Sequence, residues 1–297
     1  MRTTIVAVFG PTASGKTAVA EALADALGTE VVSADAMQVY DGLPILTNQP
    51  DRPTRLVAVW PLMHEGSVGE FQRLAHDAID ELVESTGTAV VAGGTGLYLR
   101  AALAELDLPP APAEGARVRW EAAYDEDPAA AYAELERRDP AAAASVHRND
   151  RRRVVRALEL AEAGASLVPA ESRLWSVETR RPTLIVGLDV PKEELDRRIE
   201  ARTDEMFGRG VVEEVQAALR NGHVSRTAAK TLGLREIAEL PPEEAREQIV
   251  LRTRRYAAYQ RKWMRRIPGI VMIDAGPGSP KPPSEVANAI LEVARAR

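Results

Sequence analysis

The sequence predicts an α/β fold: a mostly parallel sheet with helices on both faces, interrupted by a helical insertion. Three observations predict it. Short apolar runs rich in β-branched residues alternate with longer helical patterns. The first run leads into a glycine-rich loop and then an amphipathic segment. A stretch rich in Ala, Glu and Arg, with almost no β-branched runs, separates two halves of the alternating pattern.

Five strands are expected, at Thr4–Phe9, Glu30–Ser33, Ala89–Ala92, Leu184–Leu188 and Val271–Ile273. Their β-branched content, and their separation by longer helical stretches, suggest a mostly parallel sheet. Helices are expected over Lys16–Ala26, Val68–Glu84, Leu97–Ala104, Lys192–Arg202, Gly210–Arg220, Arg226–Leu232, Pro242–Arg266 and Ser284–Ala294. Pro191 and the Pro241-Pro242 pair introduce two of them, since proline suits a first helical turn. The run Leu106–Pro112, with prolines at 109, 110 and 112, marks a boundary. The helical insertion is therefore assigned to 113–181, ending near Pro169, and the core to 1–112 and 182–297. Pro277–Pro283 reads as a turn before the last helix, and no internal repeat is present.

At 297 residues and 45% apolar, the chain can bury a substantial core. It has no cysteine, which excludes disulfides, thiolate metal sites and a cysteine nucleophile. Four scattered histidines make a zinc site hard to build. The absence of a leader pattern and of an 18-residue apolar run makes a cytoplasmic protein with no membrane partner the expectation. The net charge of −6 argues against general nucleic-acid affinity, but the distribution is uneven. Leu251–Arg266 carries seven Arg/Lys and no acid, and Arg148–Arg156 carries five Arg against one Asp. Two basic islands on an acidic chain suit a compact polyanion; either is also compatible with a solvated helix face.

Gly10–Thr17 reads G-P-T-A-S-G-K-T between a strand and a helix. Gly10 and Gly15 allow a tight turn, and the backbone N–H groups of Pro11–Ser14 and their neighbours wrap around oxygen anions, Pro11 itself excepted. Lys16 reaches terminal phosphates and Thr17 can place a hydroxyl on Mg²⁺. The helix adds the positive end of its dipole. Strand, loop and helix start give a P-loop NTPase-like core that takes a phosphorylated ligand with a metal.

Ser33–Tyr40, S-A-D-A-M-Q-V-Y, follows the second strand and so lies at the carboxyl edge of the sheet, where open α/β folds bind ligands. Asp35 there has three available jobs: indirect metal ligation, proton acceptance, or capping a helix. Gln38 offers a donor and an acceptor that match an adenine edge. Ala92–Leu99, A-G-G-T-G-L-Y-L, follows the third strand. Its glycines permit close approach of backbone to ligand, and Thr95 presents a hydroxyl. No Asp stands at that strand end to hold metal, which turns the reading from an ATPase or kinase toward a transferase using another diphosphate. Arg198 and Arg202 share a helix face, and either can hold a departing diphosphate; Arg198 can alternatively pair with Glu194. Tyr256, Tyr259 and Trp263 fall at helical spacing in the Arg-rich segment, for base stacking or for core packing.

Together these motifs resemble the tRNA dimethylallyltransferase family. The resemblance rests on Gly10–Thr17, Ser33–Tyr40, Gly93–Tyr98, D-L-P-P at Asp107–Pro110, H-R-N-D-R-R-R-V-V-R-A-L-E at His147–Glu159 and R-I-E-A-R-T-D-E-M at Arg198–Met206. It runs in order from residue 4 to about 266. It implies transfer of a dimethylallyl group from dimethylallyl diphosphate to N6 of the adenosine just 3′ of a tRNA anticodon, with Mg²⁺ assisting. It also implies that Gly10–Thr17 grips the diphosphate, that Asp35 takes the N6 proton, that Thr95 contacts the target adenine and that Arg202 helps hold diphosphate. Asp35, Ala36, Met37 and Gln38 are implied in the tRNA-contacting surface, as is Arg117 beyond the proline boundary. The basic clusters extend that expectation to Arg151, Arg153, Arg156, Arg254 and Arg255, and the family's tRNA-facing segments to Arg235 and Gln260.

The chain departs from the family pattern at Leu46–Pro50, L-T-N-Q-P for G-T-A-K-P, and at Arg55–Pro61. It departs again at Leu234, and at Ala258-Tyr259 within Ala257–Trp263. Two rival readings are a prenyltransferase acting on free AMP or ADP and a small-molecule ATP-dependent kinase. The partners expected are a tRNA anticodon stem-loop and dimethylallyl diphosphate, bound by a monomer.

Overall fold

The apolar runs form strands β1 (Ile5–Phe9), β2 (Val31–Ser33), β3 (Ala89–Gly93), β4 (Thr183–Asp189) and β5 (Val271–Asp274). The computed structural model describes residues 3–108, 113, 115–168, 174, 176–220, 222–276 and 282–296. The strands pair in parallel in the order β2-β3-β1-β4-β5. Ile5 stands opposite Ala89 and Thr183, and Phe9 opposite Gly93 and Gly187. Every residue of β1 is buried, because helices cover both faces of a parallel sheet. The loops that leave β1, β2 and β3 therefore emerge at one sheet edge.

Twelve helices connect the strands among the described residues: α1 (Lys16–Leu27), α2 (Val68–Thr86), α3 (Gly96–Leu103), α4 (Ala116–Glu126), α5 (Pro128–Arg138), α6 (Pro140–Ser145), α7 (Arg151–Glu162), α8 (Lys192–Gly208), α9 (Val211–Arg220), α10 (Leu234–Glu239), α11 (Pro242–Met264) and α12 (Pro283–Arg295). Residues Val19 and Leu23 of α1 and Ile290 and Leu291 of α12 join Val6, Val8, Val186 and Leu188 in one apolar cluster. Helices α2 and α3 meet through Phe71 and Tyr98, ring centroids 4.5 Å apart. The Ser67 hydroxyl caps α2 by accepting from the Glu70 N–H, and Gly87 ends it in the left-handed conformation. The segment from Arg55 covers the free edge of β2: the Ser33 N–H donates to the Arg55 carbonyl and the Arg55 N–H to the Val31 carbonyl, each at 2.9 Å.

The helix expected over Arg226–Leu232 does not form. Only a single 3₁₀ turn, Ala228–Lys230, occurs there, and α10 follows. Gly233, at φ 98°, breaks the chain direction between them, and the Thr227 and Thr231 hydroxyls bond to Tyr40 and Met37. Such side-chain bonding competes with helix continuation.

The chain divides into two compact units. One, Met1–Glu105 with Leu174–Arg297, holds the sheet. The other, Leu106–Arg173, is a bundle of α4–α7 around Leu135, Val154, Val155 and Leu158. Two of its helices start at Asp-Pro pairs, Asp127-Pro128 and Asp139-Pro140, where Asp caps the N-terminus and Pro occupies the first turn. The boundary prolines 109, 110 and 112, Pro169 and most of the turn at 277–283 lie outside the described residues. Among the described residues, no helix is long and apolar enough to cross a membrane.

Candidate active site

Beyond β1 the chain turns through Gly10–Gly15 into α1. Ala13 has φ 63° and Gly15 φ 84°. A left-handed alanine is strained, and strain of this kind persists only where the surroundings hold it. Here Ala13 packs against Ile199, Val250 and Ala257. A Cβ at Gly10 would lie 2.4 Å from Ser14 Oγ. That hydroxyl is buried with no hydrogen-bond partner among the described residues.

The loop opens onto a cavity of about 400 Å³. Lys16, Thr17, Asp35, Arg198 and Arg202 line it. An apolar wall of Leu46, Met206, Leu232 and Ile249, drawn from one hydrophobic cluster, lines it too. Burial pushes Lys16 down to about 8, against the pull of Asp35 and with help from the Arg202 charge. Burial also lowers Arg202, with Asp35 opposing. The Arg202 Nε is buried and has no partner among the described residues. Two desolvated cations in one cavity, one with an unused donor, make an anion site.

Arg198, four residues earlier on α8, differs: its Nε donates to Glu194 at 2.6 Å, and Nη1 reaches the Ala13 carbonyl at 3.5 Å. The geometry thus separates two arginines that spacing leaves equivalent.

Asp35 Oδ1 accepts from the Met37 N–H at 2.9 Å. The carboxylate so closes a local turn and also faces the cavity. Thr95 stands at the start of α3, but its hydroxyl does not cap that helix. Instead Thr95 Oγ1 lies 3.2 Å from Tyr256 Oη and 3.5 Å from the Ala36 N–H, which donates to it. Burial first, then the Asp35 charge, push the Tyr256 phenol up to about 12. It therefore remains a neutral hydroxyl at physiological pH.

The glycines at the end of β3 and just after it make room for protein groups. A Cβ at Gly93 would meet the Ala34 carbonyl at 2.2 Å, one at Gly94 would meet Gln260 Nε2 at 2.4 Å, and one at Gly96 would meet the Trp263 ring at 2.2 Å. They admit close approach by the loop after β2 and by α11, so the close neighbours here are protein groups. Trp263 packs on Gly96 accordingly, and Tyr259 is exposed.

The remaining expected tRNA residues fall into three situations. Gln38 spends its amide internally, donating to the Asn48 carbonyl at 2.8 Å and accepting from the Ser33 hydroxyl at 3.0 Å. Gln260 is buried: its Oε1 accepts from the Thr12 N–H at 2.8 Å and its Nε2 donates to the Gly94 carbonyl at 2.9 Å. Arg151 is paired with Asp125, Arg235 with Glu239, and Arg254 with Glu200. Within the helical unit, Arg117 and Arg156 flank the buried Glu159, at 3.5 and 3.0 Å. Arg153 and Arg255 are exposed and enter no ion pair among the described residues. Sequence reasoning left out Thr231, Thr253 and the apolar wall, all of which line the cavity. A signal existed for Thr253: a polar residue on the buried stripe of α11.

A parallel sheet that presents a phosphate loop, two desolvated cations, a carboxylate and an apolar wall to one cavity suits a group-transfer enzyme for a phosphorylated, partly apolar substrate. Comparison with known proteins narrows the class. The IPP transferase family profile matches residues 38–267 and the isopentenyl transferase profile residues 3–54. A tRNA dimethylallyltransferase of Salinispora arenicola is 39% identical over 289 residues, covering 93% of this chain and 84% of its own. One from Thermobifida fusca is 40% identical over 288 residues, covering 90% and 88%. The crystal structure of the full-length tRNA isopentenylpyrophosphate transferase of Bacillus halodurans superposes with a TM-score of 0.69 at 29% identity, covering 99% of this chain and 97% of its own. The chain belongs to the tRNA dimethylallyltransferase family.

Proposed function

We propose that this chain transfers the dimethylallyl group of dimethylallyl diphosphate to N6 of adenosine 37 of tRNA, releasing diphosphate. The observation that carries this reading is the unpartnered, buried Arg202 Nε in the same cavity as Lys16, Asp35 and an apolar wall. The cations suit the diphosphate and the wall suits a five-carbon tail. N6 attacks the allylic carbon as its bond to diphosphate oxygen breaks, and the N6 proton passes to Asp35. Lys16, Arg202 and the N–H groups of the loop take up the charge that grows on the leaving oxygen. The Thr95 hydroxyl, held by Tyr256, orients the amine. An anticodon-loop base is unpaired, so its extrusion is cheap.

Magnesium fits the donor set. Thr17 supplies a hydroxyl oxygen in the cavity, and among the described residues no cluster of three acidic or histidine ligands competes for the role. A small hard cation that retains water and takes substrate phosphate oxygens needs few protein ligands. Thr17 would hold it, and it would neutralise charge on the diphosphate. The helical unit, through Arg117, Arg151, Arg153 and Arg156, and the outer face of α11, through Arg255, are assigned to the tRNA backbone. The cytoplasm, where tRNA is processed, is the working compartment.

The test is a product assay: purified protein with labelled dimethylallyl diphosphate and either unmodified tRNA or AMP. Label in tRNA digests as N6-dimethylallyladenosine supports the reading. Label in AMP alone, or phosphate transfer from ATP, overturns it.

A further inference from the structure

Gln260, at the wall of the cavity, touches the two loops that handle the substrates. Its side-chain amide is 2% exposed. One end accepts from Thr12 of the phosphate loop at 2.8 Å. The other donates to Gly94, the residue before Thr95, at 2.9 Å. The fit is tight, since a Cβ on Gly94 would reach the amide nitrogen at 2.4 Å and the Gly10 carbonyl at 3.0 Å. One helical turn earlier on α11, Tyr256 bonds to Thr95 itself. The loops that follow β1 and β3 are thus tied to each other by one amide and to α11 by two side chains spaced four residues apart.

We propose that Gln260 is a positioning residue that fixes the separation of the donor-diphosphate loop and the acceptor-amine loop, and so couples binding of the two substrates. This rests on the assignment of the loops to donor and acceptor given above. A bridge of this type acts through the two loops it holds. It transmits a shift in the Thr12 loop, when diphosphate binds, to the Gly94–Thr95 loop. By reciprocity, acceptor binding changes donor affinity by the same factor. The amide is matched to its place by polarity: it needs an acceptor at Thr12 and a donor at Gly94. A neutral amide of this length supplies both without needing a proton from solvent.

Two variants separate the pieces. Gln260→Met keeps length and apolar volume and removes both hydrogen bonds. Gln260→Glu keeps the acceptor for Thr12 but sets a carboxylate oxygen against the Gly94 carbonyl until it is protonated. The readout is binding, with an unreactive thiolo analogue of dimethylallyl diphosphate and unmodified tRNA, each titrated alone and in the presence of the other. The parent protein is expected to show a tRNA affinity several-fold different with the analogue bound. Gln260→Met is expected to bring that ratio to about one, leave each binary affinity within about twofold, and lower kcat about 10²-fold, the effect typical of an ångström-scale misplacement. Gln260→Glu is expected to recover activity, relative to the parent at the same pH, as pH falls toward 5.5 and the carboxyl gains a proton to donate.

A purely structural role would lower the melting temperature and leave the binding ratio intact, and that result overturns the proposal. A ratio of one in the parent protein overturns it as well. Should Gln260→Met not fold, the pH recovery of Gln260→Glu decides: a flat relative profile is fatal to the idea. Failure of the parent to bind tRNA at all is a different outcome, and it refutes the functional assignment on which the proposal stands.

Discussion

Lys16 is held in the wrong place for a charged amine until a ligand arrives, and that has a measurable consequence. Burial brings its pKa from 10.5 to about 8. In the empty protein at pH 8, about half of Lys16 is neutral; at pH 7 about a tenth is, and at pH 9 about nine tenths. A bound diphosphate brings negative charge to the ammonium and restores its pKa upward. Donor binding is therefore expected to take up about 0.5 proton at pH 8, rising to about 0.9 at pH 9 and falling to about 0.1 at pH 7. Isothermal titration of the thiolo analogue in two buffers of different ionisation enthalpy measures this number directly. In Lys16→Arg the guanidinium stays charged throughout, so the uptake should vanish. Uptake that is absent across pH 7–9, or that persists in Lys16→Arg, would refute the argument.

The same shift bears on stability with a defined sign. Between pH 8 and 10.5 the unfolded chain holds a proton on Lys16 that the empty folded protein has released. The contribution of this group to stability therefore rises with pH through that window. At neutral pH the desolvated charged amine costs the protein on the order of 3 kcal/mol, from the difference between 10.5 and 8. Lys16→Met is accordingly expected to melt at a higher temperature than the parent while losing donor affinity. A lower melting temperature in the absence of ligand would show that the cost is met elsewhere.

Asp35→Asn is expected to lower the single-turnover rate about 10²–10⁴-fold at saturating tRNA, with donor affinity within about threefold; a rate within about threefold of the parent sinks the proton-acceptor role. Arg202→Ala should cost about 10²-fold in kcat, and Arg198→Ala far less, because Arg198 is already committed to Glu194. Equal losses in steady-state assays would contradict that distinction. Met206→Ala enlarges the apolar wall, and competition assays should then show ten-carbon geranyl diphosphate gaining on the five-carbon donor.

The sheet was legible because each strand is a short apolar run bounded by polar or glycine residues, so pattern and tertiary demand coincide. The helical insertion was legible as a composition but not as four helices. Its start signals were present, in the Asp-Pro pairs at 127 and 139 and in Asp150, whose carboxylate accepts from the Arg153 N–H at 3.1 Å. The phosphate loop declared itself through residue types whose chemistry is local. The glycines at 93–96 could not, because a glycine records only that something comes close. Whether that neighbour is ligand or protein depends on the packing of α11, about 160 residues downstream. The Arg198–Glu194 pairing was an available reading of the i,i+4 spacing, and the structure shows it formed.

The Arg-rich helix shows the same limit from the other side. Charge counting reads α11 as a single basic surface, yet the helix has two faces with separate duties. Thr253, Tyr256, Ala257 and Gln260 form its inner stripe, and three of those four line the cavity. Arg255, Ala258, Tyr259 and Lys262 form the outer stripe and are exposed. Arg254 sits between them and is neutralised by Glu200. If the outer stripe takes tRNA backbone as proposed, one helix serves both that contact and the wall of the cavity. The two departures from the family pattern, Ala258 and Tyr259, fall on the outer stripe alone. They can change how the helix meets RNA without disturbing the residues that shape the cavity.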